Sequence, residues 1–368
     1  MASALFSPIT LGSHTLPNRI AVAPMCMYQA ADGCASDWHI QHWTTLAISG
    51  AAMITIEATA VERRGRITHG CLGLYSDANE ASARRALDVA RRYAAPATMF
   101  GIQLAHAGRK ASTRIPFEGQ NQLGPDEDPW QTVAPSAIPF SPSYPMPEAL
   151  DEDAIARIVA AFEQAAKRAT RAGFDFVELH GAHGYLMHEF LSPLSNRRQD
   201  RWGGSLENRM RLIVTVARAV RAALPERMIM GARLSATDWT AGGFTIEEAT
   251  EVARALKAEG VAYICASSGG AVEARIPVGP LYQVDLAEAI QKGADIPTRA
   301  VGLITTPAEA EAIVASGRSA MVALARAILA DPRWPWRAAA ELGAELPIVN
   351  SYARAWPTMR HWATKPST

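Results

Sequence analysis

The chain has 368 residues, 49% of them hydrophobic and 20% charged, with Lys+Arg 36 balanced by Asp+Glu 36. Zero formal net charge and no basic run argue against nucleic acid or an anionic membrane surface as partner. No segment reaches the ~18 apolar residues of a membrane helix. Residues 1–8 lack the charged and apolar regions of a secretory signal. The four cysteines, Cys26, Cys34, Cys71 and Cys265, have no CxxC spacing. They read as reduced thiols in a cytoplasmic protein.

In chain order, short apolar runs alternate with helix-patterned segments. The runs are Arg19–Pro24, Ala51–Ala58, Thr98–Leu104, Phe174–His180, Met228–Leu234, Val261–Ala266, Thr298–Gly302 and Ala320–Ala325. They are apolar throughout rather than alternating, as strands buried on both faces should be. Between them, Leu150–Ala172 and Leu206–Leu224 carry apolar residues at helical spacing and end at Gly173 and Pro225. Thr245 with Glu248 and Thr306 with Glu309 form capping boxes. Eight βα units in one chain predict an α/β fold, a single (β/α)8 TIM barrel, over a doubly wound sheet. Two connections are long, Ala107–Ala149 after the third strand and Leu191–Ser205 after the fourth. Both leave the strand ends where barrel sites are built.

Polar residues end these apolar strands: Cys26 beside Met25, Glu57 beside Ala58, Gln103, His180 with His183, Arg233, Gly302 and Arg326. So many on one rim suggest function rather than capping alone. His180-Gly181-Ala182-His183 lacks a third ligand, so no metal is expected. Packing remains open for the pair, as does donation of two imidazole N–H groups to a substrate oxygen. Tyr185 is protonated near neutral pH and suits a proton donor, though a lone Tyr often only packs. Cys26 by itself reads as a buried inert thiol rather than a nucleophile, since no His or helix start stands by to lower its pKa. Arg233 is always charged and suits an anionic ligand. The turn at Gly302 and the helix start at Arg326 occupy the phosphate position of such barrels. Dinucleotide, P-loop, zincin and hydrolase-elbow motifs are absent from the sequence.

Together these residues resemble the old yellow enzyme family, in its xenobiotic-reductase branch. The segments that carry the resemblance are Asn18-Arg19-Ile20, Pro24-Met25-Cys26-Met27-Tyr28, Asp37-Trp38-His39, Glu57-Ala58-Thr59-Ala60 and Gly65-Arg66-Ile67-Thr68. They continue with Gln103 to Lys110, His180 to Leu186, Ser192 to Arg197 and Gly203 to Arg209, in order along almost the whole chain. The resemblance implies bound FMN and transient NAD(P)H, NADPH favoured, in a ping-pong cycle that reduces activated alkenes (enones, enals, maleimides), with nitro compounds or nitrate esters as further acceptors. It implies that Pro24, Met25, Cys26, Ala58 and Gln103 line the flavin ring and that Arg233 faces its pyrimidine end. Val301, Gly302, Ala325 and Arg326 would hold the phosphate. His180 and His183 would bind the substrate's activating oxygen, Tyr185 would protonate the α carbon, and Tyr28 would line the pocket. It also implies a homodimer or homotetramer in which residues 344–368 reach a neighbour's site through Arg354 or Trp356. Three departures concern shape rather than chemistry: Ala325 where Gly is common, Trp202 where Tyr is common, and Val301 where one relative has Trp.

A phosphosugar isomerase or aldolase on the same barrel would need a Lys or Glu base at a strand end. A dienoyl-CoA reductase would need a cysteine cluster and an extra domain, and a non-catalytic flavin protein should lack the His pair or Tyr185.

Overall fold

A computed structural model describes residues 2–119 and 121–363. Eight parallel strands close into one barrel: β1 (Ile20–Val22), β2 (Met53–Ala60), β3 (Met99–Ala105), β4 (Phe176–Gly181), β5 (Ile229–Ser235), β6 (Tyr263–Ser267), β7 (Thr298–Ala300) and β8 (Met321–Leu324). Each pairs with the next in sequence, and β8 closes on β1 through Val322 opposite Ile20 and Leu324 opposite Val22. All eight expected strands are present, with ends displaced by at most two residues. The reason is physical: an apolar run reports burial, whereas a strand ends where pairing ends.

The outer helices cap as the side chains dictate. Glu152–Ala172 starts at Asp151, whose carboxylate accepts from Ala154 N–H, and stops at Gly173, at φ +98°. Both threonine capping boxes form, at Ile246–Ala258 and Pro307–Ala315. The apolar faces of these helices and the outer faces of the strands build the main core.

Side chains alternate in and out along each strand, so the barrel interior can be followed in layers. The lowest layer is apolar: Met53, Met99, Phe176, Ile229, Tyr263 and Met321 pack together with Leu11 and Leu16 of an N-terminal hairpin. Gly101 and Gly231 make room for two of these rings, since a Cβ at either would overlap Phe176 or Tyr263. Above lies a buried polar layer. Glu178 accepts from Gln103 Nε2 at 2.8 Å and Tyr263 OH at 3.0 Å, and is ion-paired with Arg299. Arg299 also donates to Thr55 Oγ1 at 3.2 Å. The residues above this layer form the mouth.

The long connection after β3 carries 3₁₀ turns at Gly108–Lys110, Pro116–Glu118 and Pro125–Glu127. The connection after β4 contains a buried helix, Leu186–Leu191, that sequence periodicity did not reveal. It is too short for a 3.6-residue repeat to register.

Candidate active site

The strand ends bring His180, His183 and Tyr185 together. The His180 ring centroid is 5.1 Å from that of His183 and 5.0 Å from that of Tyr185, both edge-to-face. Burial, and then the Arg233 charge, hold both imidazoles well below the usual histidine range, so both are neutral near pH 7. Ala182 N–H donates to His180 Nδ1 at 3.3 Å, which assigns the ring proton to Nε2 as an available donor. His183 Nε2 lies 2.7 Å from Ser267 Oγ, nearer than Gln283 Oε1 at 3.4 Å, so the hydroxyl donates to the ring and the His183 proton sits on Nδ1. Burial pushes the Tyr185 phenol up, so it keeps its proton.

These side chains sit on a constrained turn. His183 has φ +61°, a left-handed conformation that costs a non-glycine residue about 1–3 kcal/mol and persists only where its surroundings enforce it. Ser235 Oγ accepts from His183 N–H at 2.9 Å. Gly184 N–H donates to His188 Nδ1 at 2.9 Å, and His188 Nε2 lies 3.1 Å from the buried Asp238 carboxylate. Burial raises the Asp238 pKa, but His188, Ser192 and the Phe244 N–H outweigh it and hold the group below its ordinary value. Lys110 also belongs to this turn: its ammonium donates to His183 O at 2.9 Å and Gly270 O at 3.2 Å. Burial pulls its pKa down to about 8. Below it, fully buried Glu189 accepts from Arg109 N–H at 2.8 Å, and burial pushes its carboxyl up to about 8.

On the opposite side stand Pro24, Met25, Cys26 and Tyr28, all half-buried, with Ala58 and Gln103 buried beside them. Glu57 Oε1 accepts from Met27 N–H at 3.1 Å and fixes this segment. Burial, with Cys71 and Glu57 nearby, raises the Cys26 thiol well above its usual range, so it is no thiolate. Tyr28, with φ +55°, stacks edge-on against exposed Phe117 of the long loop at 6.4 Å.

A cavity of about 230 Å³ opens between the last strands. Arg233, Gln283, Val301, Gly302, Ala325 and Arg326 are among its lining residues. Gly302 has φ +128°, and a Cβ there would crowd Gln283 and Tyr282. Arg233 Nε is buried and has no partner among the described residues. A buried guanidinium N–H left open is costly, which marks a place prepared for an acceptor.

Two expected residues do not join the site within one chain. Arg354 is exposed, and Trp356 packs near Trp336 and Leu346. Residues 364–368 of the expected tail lie outside the described residues. The residues that sequence reasoning missed are Lys110 (quoted in a motif but given no role), Ser267, Gln283, His188, Asp238 and Glu189. Their signal is three-dimensional: Lys110, Ser267 and His188 touch the turn that carries the His pair, whereas Gln283, Asp238 and the Glu189 carboxylate hold Ser267, His188 and Arg109 beside it.

A parallel barrel with a neutral His pair, a protonated Tyr and a cavity lined by Arg233 and Arg326 after β7 and β8 defines a class: barrel enzymes with the site at the C-terminal mouth of the strands. Residues 4–345 match the NADH:flavin oxidoreductase / NADH oxidase family, the old yellow enzyme family, and the chain belongs to it. It is 42% identical over 358 residues to the NADPH dehydrogenase of Geobacillus sp. (strain WCH70), covering 97% of this chain and 99% of that one. It is 42% identical over 356 residues to the NADPH dehydrogenase of Listeria innocua, covering 96% and 99%. Among solved structures, morphinone reductase superposes with TM-score 0.77 at 29% identity, over 94% of this chain and 91% of that one. 2-Naphthoyl-CoA reductase in complex with 2-naphthoyl-CoA gives 0.81 at 25% identity over 94% of this chain, which spans about half (53%) of that longer enzyme. The protein is an NAD(P)H-dependent oxidoreductase that uses FMN.

Proposed function

We propose that the protein is an ene-reductase, in which one pocket serves nicotinamide and an activated alkene in turn. FMN, when bound, would supply the hydride exchange between NAD(P)H and the β carbon of the acceptor. What supports this reading is the trio at the mouth, in which two neutral imidazoles lie beside a protonated phenol. The His180 Nε2–H and the His183 ring bind the activating carbonyl or nitro oxygen and stabilise the negative charge that develops there. Tyr185 gives its proton to the α carbon. Histidinium at either position would compete for that role and would repel Arg233, so burial of the pair serves the chemistry.

The residues fit FMN. Arg233 offers an unpartnered donor where a flavin pyrimidine would carry negative charge, and Gln103 is held from below by Glu178. Gly302, Val301, Ala325 and Arg326 would receive the phosphate. Pro24, Met25, Cys26 and Ala58 would line the ring, with Cys26 a neutral thiol that tunes the flavin rather than attacking substrate. Tyr28 would shape the substrate pocket. Enones, enals, maleimides and nitro compounds all offer an oxygen that the His pair can bind. NADPH is the favoured donor, in keeping with the names of the relatives. The four free cysteines suit a reducing cytoplasm.

The test is the absorption spectrum of the purified protein, followed without oxygen through NADPH addition and then 2-cyclohexenone. Flavin bands near ~450 nm should bleach with NADPH and return with the enone, as a group that exchanges hydride requires. Bleaching that the enone does not reverse would refute the ene-reductase reading while leaving the flavin intact.

A further inference from the structure

We infer that Lys110 is a positioning residue of the reaction: it holds the His183-Gly184 turn, and through it Tyr185, in the geometry that protonation of the substrate requires. The argument begins with two glycines. Gly184 (φ +70°) and Gly270 (φ +97°) bring the connections after β4 and β6 into backbone contact. A Cβ on Gly184 would overlap the Gly270 carbonyl, and a Cβ on Gly270 would overlap the His183 backbone. This approach brings the carbonyl oxygens of His183 and Gly270 to one point. Two partial negative charges there repel unless they share a donor.

Lys110 supplies that donor from a third segment. Its Nζ donates to both oxygens, at 2.9 and 3.2 Å. The same ammonium lies 4.4 Å from the ring centroid of Phe140 and 5.5 Å from that of Tyr185, so two aromatic rings enclose it. An ammonium between rings and carbonyls is satisfied without water. The neighbouring Arg109 anchors the same segment, donating to Ile138 O at 3.0 Å and Ala271 O at 2.6 Å. Lys110 thus joins the long loop after β3 to the turn that carries His183 and Tyr185. Because His183 is left-handed, the turn needs such external support to keep its shape.

The inference rests on the proton-donor role proposed for Tyr185, and the experiment separates the two. FMN-loaded Lys110→Met, Lys110→Arg, Tyr185→Phe and the Lys110→Met/Tyr185→Phe pair are compared in both half-reactions. Amide hydrogen exchange of residues 182–186 is followed in each protein, with thermal melting as the check on folding. Lys110→Met should raise exchange of those amides about tenfold through local opening. It should slow flavin reoxidation by 2-cyclohexenone at least about tenfold through misplacement of the donor. In the Tyr185→Phe background the same change should cost less than about twofold, because both substitutions remove one function. Lys110→Arg should restore most of the loss by keeping a cation at the carbonyls.

Unchanged exchange and reoxidation in Lys110→Met would overturn the inference. So would a loss that multiplies in full on Tyr185→Phe, since Lys110 would then act on substrate by itself. If Tyr185→Phe leaves reoxidation unchanged, the proton-donor reading fails, and hydrogen exchange alone then decides whether Lys110 holds the turn. If Lys110→Met does not fold, Lys110→Arg decides: native exchange and reoxidation with the larger head group support the clamp, and exchange raised without a change in reoxidation overturns it.

Discussion

At the residue scale, the site works by withholding charge. His180 is buried and His183 half-buried near Arg233, so protonating either would place a second cation in a largely desolvated mouth. Tyr185 is kept protonated by burial, as the proton donor we propose must be. Tyr185→Phe should therefore slow flavin reoxidation by an enone by about 100-fold or more, with reduction by NADPH near native. Rapid-mixing absorbance of the separate half-reactions would show it, and equal losses in both would remove the donor role. Glu189 gives a prediction in pH. Its folded pKa is raised to about 8, so between its unfolded value of about 4.3 and about 8 the native state holds a proton the unfolded chain has lost. Stability from this group falls as pH rises through that window. Glu189→Gln should thus raise the melting temperature at pH 8 relative to native and change it little at pH 5. A melting difference independent of pH would mean that the carboxyl is ionised in the fold.

At the scale of elements, the mouth stands on what lies beneath it. The polar layer of Glu178, Arg299, Tyr263 and Gln103 rests on a plug of rings and methionines, and Gly101 and Gly231 hollow out the strands to admit those rings. Gly101→Ala should cost about 1–3 kcal/mol by overpacking, and Phe176→Leu in the same chain should recover part of it. Denaturant unfolding of the single and double variants measures both numbers. Additive losses would mean that Phe176 does not fill the space above Gly101. The elements also explain the limits of sequence reading. Strands β1 to β8 were legible because burial on both faces leaves an unbroken apolar run. The helix Leu186–Leu191 was not, because six residues that are all buried carry no face. The same shortness hid His188 and Glu189, which appear only once that helix is seen beneath the turn.

At the scale of the whole molecule, the C-terminal segment raises a question of address. Residues 348–352 line a groove with Thr44, Ile48 and Tyr93, where outer helices end and β2 and β3 begin. That is the face opposite the mouth. Arg354 or Trp356 could therefore complete a site only by reaching into another copy of the chain, as we propose for a homodimer or homotetramer. Subunits carrying Tyr185→Phe co-expressed with subunits carrying Arg354→Ala would test Arg354. A mixed dimer should contain one wholly intact site in two and regain turnover that neither parent shows. No regain in the mixed dimer would assign Arg354 to its own chain or to no site. No helix among the described residues is long and apolar enough to cross a membrane.

The sequence by itself determined the barrel, because eight apolar runs with capped amphipathic helices between them have few other ways to bury their surfaces. It also named the residues at the strand ends, because polar groups interrupting such runs stand out along the chain. Only the tertiary structure decided how those residues are held. The neutrality of His180 and His183 depends on burial and on Arg233, more than 45 positions away. The turn that carries Tyr185 is fixed by Lys110, Ser235, His188 and Gly270, which no spacing rule connects. Local pattern records which side chains a segment buries, whereas pKa, tautomer and strain come from groups that meet only when the barrel closes.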